Sequence, residues 1–378
     1  MNKRLTYYSL APLLILMIPS LFWSCTEGGQ KTVTVNQSIA TDTWWKANTT
    51  YILEGTVIVK DGATLHIEAG TLIKAMPGEA KNISMLVISK GGKIEAKGTA
   101  QQPIVFTALD DNISSVNDTS MLGASKQGLW GGIIMLGDAP ISTELEDEET
   151  FYTGLNPNAK TSYYGGANPN HNGGVMEYVS IRHGGSYVGT GSESNGLTLC
   201  GVGEQTTIDN IEIFGNQDDG MEIFGGTVHP SNVLVVSAGD DGIDISQGYT
   251  GSLKNALVVL GENSDSGLEL EPGAGPDAGS FTLSNIHLMG HENNPEQVIL
   301  TVAENSQGSI DGLYVRGFSP EAKIKTAAEA FKLQHLIILQ QEEIANLPEM
   351  IEGAGAQAIS FGDHLEDPID FGWTRWAK

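Results

Sequence analysis

NGLTL at 195–199, DGMEI at 219–223, DGIDI at 241–245 and SGLEL at 266–270 are four copies of one phrase. Their glycines, Gly196, Gly220, Gly242 and Gly267, are spaced by 24, 22 and 25 residues. A period of this length marks a solenoid, in which each turn of chain buries its apolar face only against its neighbours. After each glycine the residues alternate. Leu197, Met221, Ile243 and Leu268 fall on one side, and Leu199, Ile223, Ile245 and Leu270 follow on the same side. Thr198, Glu222, Asp244 and Glu269 lie between them. Alternation repeated in register four times reads as stacked strands with an apolar interior and a polar exterior.

A second strand per turn supports the register. It reads NIEIF from Asn210, NVLVV from Asn232, NALVV from Asn255 and NIHLM from Asn285, then less regularly GLYVR from Gly312 and HLIIL from His335. Asn suits a tight corner, because its side chain bonds backbone groups and it tolerates left-handed conformations. Stacked Asn side chains can also bond one another along the axis. Every turn runs the same way, so the expected fold is all-β, a parallel β-helix of roughly 22–25 residues per turn.

The 378 residues are 40% hydrophobic and include 47 Gly, and the formal charge is −26. That charge excludes a basic nucleic-acid footprint and a basic membrane-binding surface. It favours cations, or neutral and cationic ligands; a solvated acidic coat is the plain alternative.

Residues 1–24 read as a signal peptide, with Lys3 and Arg4 ahead of an apolar stretch from Leu10 to Phe22. Two prolines break that stretch, which is short for a membrane span. Ser24 before Cys25 resembles a loose bacterial lipobox. By that resemblance Cys25 is lipidated and the chain meets the membrane only through this anchor, at the outer membrane. Cys200 is then left alone and is expected to pack structurally. Residues 25–43 read as a tether and 44–378 as the β-helix domain.

Within that domain, Trp44 and Trp45 are expected to cover the first turn. His66 and Glu68 share an outer face, where they read as a solvated pair or as metal ligands. Leu72 continues the series of inward residues. Residues 109–128 and about 142–174 are excursions. The longer one carries TELEDEET and then Phe151, Tyr152, Tyr163 and Tyr164 among Gly, Asn and Pro. Tyr152, Tyr163 and Tyr164 are candidate sugar-stacking rings; alternatively the aromatics fold back over the coil. Arg182 and His183 stand near a bend as a candidate acid/base and charge pair. Residues 319–350 read as one more turn, with a helical segment on one side. Phe371, Trp373 and Trp376 are expected to form a cap over about 360–378.

Aligning the turns aligns the acids. Asp218, Asp240 and Asp265 form one column with Asp219 and Asp241 beside it, and Glu222, Asp244 and Glu269 form another. At a strand spacing of about 4.8 Å, two such charges repel by roughly 1 kcal/mol in water and about 3–4 kcal/mol at a dielectric of 20. These eight residues are candidate Ca²⁺ ligands, since Ca²⁺ takes several oxygens in flexible geometry. An exposed, screened ladder is the alternative.

Several phrases together resemble a known family. They are GGANPNHNGGVMEYVSIRHGG (165–185), ESNGLTLCGVGEQTTI (193–208), DDGMEIFGGTV (218–228), DDGIDISQGYTG (240–251), the early GATLHIEAGTLIKA and PIVFT, and the closing WTRW. They are similar to secreted right-handed parallel β-helix proteins common in Bacteroidetes and marine Gram-negative bacteria, within the pectin-lyase-like superfamily. The resemblance spans about 44–378 and implies the right-handed form and a cell-envelope location. Some relatives carry a transporter name, but this chain has no multi-span pattern. The expected function is non-catalytic binding of polysaccharide or other glycan, or service as an extracellular scaffold. A lyase or glycosidase on the acidic face is one alternative, with Glu222, Asp244 and Glu269 as candidate carboxylates. An adhesin with protein partners is another.

Overall fold

The computed structural model describes residues 31–119, 122–143, 149–189, 192–271, 279–291, 293–339, 351–352, 359–361 and 370–375. The signal peptide, Cys25 and Trp376 lie outside these residues. The described part is a coil of parallel strands, and none of its helices is long and apolar enough to cross a membrane.

The repeated phrase forms one wall. Leu197 sits beside Met221, Met221 beside Ile243, and Ile243 beside Leu268, all in parallel register. Among the described residues this sheet has ten strands, from Thr56–Val59 to Ile351–Glu352. The apolar residues on either side of Thr198, Glu222, Asp244 and Glu269 all enter the central core. The glycines of the phrase are required by space and not by left-handed backbone. A Cβ on Gly242 would lie 2.3 Å from Val258 Cγ1 and 2.7 Å from the Gly267 carbonyl of the next turn. Wall and neighbouring turn meet too closely there for a side chain.

The Asn strands form a second, longer sheet, and here the structure refines the expectation of two strands per turn. Early in the coil two separate strands supply this sheet: Thr64–Ile67 then Leu72–Ala75, and Lys93–Lys97 then Ile104–Ala108. The strand Gly174–Arg182 pairs with both, its first half with Lys93–Lys97 and its second half with Ile104–Ala108. From there on, one strand turns a corner at a single residue and the coil is three-sided. The corner residues are Tyr178, Asn210, Asn232, Asn255 and Asn285, with φ between 51° and 59°. The side chains form the expected ladder. Asn285 Nδ2 donates to Asn255 Oδ1 at 2.9 Å, Asn255 to Asn232 at 3.0 Å, and Asn232 to Asp209 at 2.7 Å.

Several boundaries differ from the sequence reading. The coil begins inside the expected tether, because the alternating Lys31–Val35 pairs with Thr49–Leu53. Trp45 is buried on Tyr51, whereas Trp44 is 54% exposed and stacks on His66. Leu72 points outward, into a cluster with Val105, Ile113 and Val116 under the 109–128 excursion. Residues 324–326 and 332–339 are strands, so the expected helical segment is absent from the described part of 319–350. Their alternating apolar residues outweigh the helix-friendly composition. Phe371 and Trp373 do not cap the coil's end. They lie on its flank, Phe371 against Phe214, Leu234 and Val236, and Trp373 edge-on to Tyr178.

Gly242→Ala should lower unfolding stability by about 1–3 kcal/mol or more, since neither backbone carbonyl nor packed valine can give way. Asn232→Ala should lose about 1–3 kcal/mol, and Asn232→Gly less, because glycine keeps the left-handed corner. Urea titrations of the three variants check both expectations.

Candidate functional site

The outer face of the ten-stranded wall changes character along the coil. In its early turns it is apolar: Met85, Val87, Ile134, Leu136 and Cys200 face outward. The 142–174 excursion folds onto this patch and buries Tyr152 and Tyr164 there. Cys200 is thus packed, as expected. Tyr152 is hydrogen-bonded to Thr198 and Tyr164 donates to Gln247 Oε1 at 3.1 Å. The covering ends where the column turns from Ile134 and Thr198 to Glu222 and Asp244. Apolar surface holds the loop down, and acidic surface does not.

A cleft of about 950 Å³ opens at this boundary. One wall is the acidic face: Asp218, Asp219, Glu222, Asp240, Asp244 and Ser246. The other is the loop, with Phe151, Tyr152 and Tyr164, joined by Tyr187 and Glu193 from the hairpin Tyr187–Gly189/Ser192–Glu193. Among the described residues, seven carboxylates line it and no Lys, Arg or His does. Of the candidate rings, Tyr152 and Tyr164 are mostly buried, and Tyr163 is outside the lining, its hydroxyl donating to the Pro157 carbonyl at 3.0 Å. The exposed rings are Phe151 at 42% and Tyr187 at 36%.

The acids divide into two kinds. Asp219 and Asp241 are corner residues of the wall. The Asp241 amide donates to Asp219 Oδ1 and the Ser266 amide to Asp241 Oδ1, both at 2.9 Å. These bonds tie each turn to the next. Glu222 and Asp244 instead project outward, hydrogen-bonded to each other, and the Asn195 amide group donates to Glu222. Glu269 continues their column, hydrogen-bonded to Asp241. Asp218 and Asp240 stand at the rim, and Asp265 beside Asp240. Ligand atoms approach within 4.8 Å of one another in three groups: Asp218 with Asp219 and Asp240, Asp219 with Glu222 and Asp244, and Asp240 with Asp241 and Asp265.

Burial, then proximity, pushes up the carboxyls of Asp218, Asp219, Glu222, Asp240, Asp241 and Asp244. Burial, then the Asp240 and Glu193 charges, raises Asp218 to about 7. Burial raises Asp241 to about 8 despite its Ser266 bond. Burial and neighbouring acids hold Asp219, Glu222 and Asp244 well above the carboxylate range. Among the described residues, two oxygens in the cleft lack hydrogen-bond partners: Asp244 Oδ1 and Ser246 Oγ, on residues only 9% and 8% exposed. A cation could use both.

Arg182 and His183 are elsewhere, on the outer side of the Asn sheet. Arg182 Nε donates to Ser180, whose hydroxyl donates to the buried Glu212. His183 is a corner residue with φ 61°, at the position Gly215 holds in the next turn. Its Nδ1 contacts the Lys126 carbonyl at 2.6 Å, which ties down the 109–128 excursion. Neither residue lines the acidic cleft. His66 and Glu68 do not meet either: His66 stacks on Trp44 and Glu68 pairs with Lys46.

Tyr187, Glu193, Ser246 and Glu271 line the cleft but carried no flag in the sequence. The period-two alternation that selects Asp244 also selects Ser246. Tyr187 and Glu193 arrive through a short hairpin outside the repeat, with no periodic signal.

The profile of a pectate-lyase-like β-helix domain matches residues 37–358. No curated protein matches at the sequence level. Two solved structures are similar, both pectin methylesterase from Aspergillus niger. The deglycosylated form shares 10% identity over 83% of this chain and 85% of its own, with a TM-score of 0.34. The penultimately deglycosylated form shares 11% over 82% and 84%, with a TM-score of 0.32.

The raised carboxyls fix a pH dependence. The native state binds protons that the unfolded chain releases, so this stability is full below about pH 4 and is lost as pH rises towards 8. The melting temperature should therefore fall between pH 5 and 8.5. Asp244→Asn should shrink that fall, by removing one repelling charge from the cluster. Thermal melts of both proteins at the two pH values check this; an equal fall in both would contradict it.

Proposed function

We propose, for a chain that belongs to the pectate-lyase-like β-helix domain family, that the cleft binds glycan and that the protein is a non-catalytic binder of the cell envelope. The observation that carries this reading is the pairing of walls. Exposed rings of Phe151 and Tyr187 face a bank of carboxylates and hydroxyls. Flat rings stack on the apolar faces of pyranoses, and carboxylates accept hydrogen bonds from sugar hydroxyls. The cleft's volume falls within the range of about 300–1,000 Å³ usual for ligand sites.

Binding is favoured over hydrolysis by the geometry of the central pair. A glycosidase holds its two carboxyls about 5–9.5 Å apart across the scissile bond, in environments that differ. Glu222 and Asp244 are hydrogen-bonded to each other and share one environment. Lyase action on uronates draws no support either, since among the described residues the lining holds no basic one. Ca²⁺ belongs to the proposal as a counter-ion. Asp219, Glu222 and Asp244 offer oxygens within 4.8 Å, and Asp244 Oδ1 is without a partner. Export and lipid anchoring at Cys25, at the outer membrane, complete the reading on the strength of the leader sequence.

Affinity-gel retardation across a polysaccharide panel should show binding without release of reducing ends. Phe151→Ala and Tyr187→Ala should each weaken it about two- to tenfold. Reducing ends released by the parent and lost in Glu222→Gln would replace the binder with a hydrolase.

A further inference from the structure

The titratable groups lining the cleft among the described residues are all acids, so a bound cation favours their ionised form and a bound anion opposes it, which selects among glycans. Its floor and rim carry Asp218, Glu222, Asp240 and Asp244, Glu193 faces them across the opening, and among the described residues no protein cation lines the site. A uronic-acid chain would place further carboxylates against these. Each close pair costs roughly 1 kcal/mol at about 4 Å even in water, and more where water is excluded. Burial and crowding favour the protonated form of these acids, and a neutral sugar leaves that unchanged. An ammonium group favours the ionised form and brings three donors for the carboxylate and hydroxyl oxygens in reach.

Two acceptors are available for that group. Asp244 Oδ1 and Ser246 Oγ lack hydrogen-bond partners among the described residues, lie on buried residues of one strand and line the same cleft. Both point outward, because Ile243 and Ile245 between and beside them point into the core. The opposite wall offers Phe151 and Tyr187, whose faces suit a pyranose ring and also attract a cation held over them. Acceptors for an amine and a platform for a sugar ring thus share one opening.

We propose that the ligand is a glycan bearing free primary amino groups, an oligosaccharide of unacetylated amino sugars, with its ammonium groups seated on Asp244, Glu222 and Ser246. This rests on the glycan-binding reading above and names the chemical class of its ligand. Ca²⁺ and the amine are then competing counter-charges for one cluster.

Calorimetry on the folded chain at pH 6 and low salt tests it, with four probes. They are a glucosamine tetramer, its fully N-acetylated form, tetragalacturonate with and without Ca²⁺, and tetralysine. The glucosamine tetramer should bind at least tenfold tighter than the acetylated one. Its affinity should fall with added salt and with added Ca²⁺. Asp244→Asn should weaken it at least tenfold, and so should Asp218→Asn at the rim, a variant outside the hydrogen-bonded pair. Equal binding of the two tetramers would overturn the amine assignment and leave glycan binding standing. Tetralysine binding as tightly as the glucosamine tetramer would overturn it too, since the cleft would then read charge alone. Galacturonate binding that requires Ca²⁺ would overturn it in favour of a metal-bridged anion. Failure of every saccharide here, together with the polysaccharide panel, would remove the glycan reading itself.

Discussion

Every outward column of this protein is governed by one constraint: parallel turns stack in register, so equivalent residues sit about 4.8 Å apart. Whatever residue type a column repeats is brought against itself. At the corner of the long sheet the repeated residue is Asn, which is both donor and acceptor, and repetition yields a hydrogen-bonded ladder. On the phrase wall the repeated residue is Asp or Glu, which when ionised only accepts, and repetition yields repulsion. The same spacing stabilises one face and strains the other.

Part of the acidic repetition is structural. Asp219 and Asp241 each accept the next turn's amide, which offsets their burial with a hydrogen bond that an isolated carboxylate would lack. Glu222 and Asp244 have no such role. They sit where the covering loop lifts away, facing Phe151 and Tyr187, with an unpartnered oxygen on Asp244. A local conflict of this kind, in a coil otherwise consistent from propensity to packing, is the usual mark of a functional site. The loop locates it: aromatic side chains find apolar partners at Met85, Val87, Ile134 and Leu136, and lose them at the acids.

The coil was legible because its signal repeats. Inward Leu197, Met221, Ile243 and Leu268, the register of Glu222 with Asp244 and Glu269, and the Asn ladder all follow from aligning turns. The third side of the cross-section was hidden, because a single left-handed residue joins two strands with no gap in the apolar pattern. The flanking elements were hidden for a different reason. Phe371 and Trp373, the buried Tyr152 and Tyr164, and the sealed Arg182–His183 pair depend on contacts far along the chain. Composition alone does not reveal which surface an excursion covers. The acids were visible as a column. That they form one wall of a cleft was not, since the other wall arrives from 142–189.

The central claim is that this acidic face is a desolvated site and not a solvated coat. Carboxyl ¹³C resonances followed through a pH titration of Asp-labelled protein, assigned through Asp→Asn variants, test it most directly. The account predicts that Asp218 titrates at about 7 and Asp241 at about 8. Titration of both near 4, the ordinary carboxylate value, would contradict it.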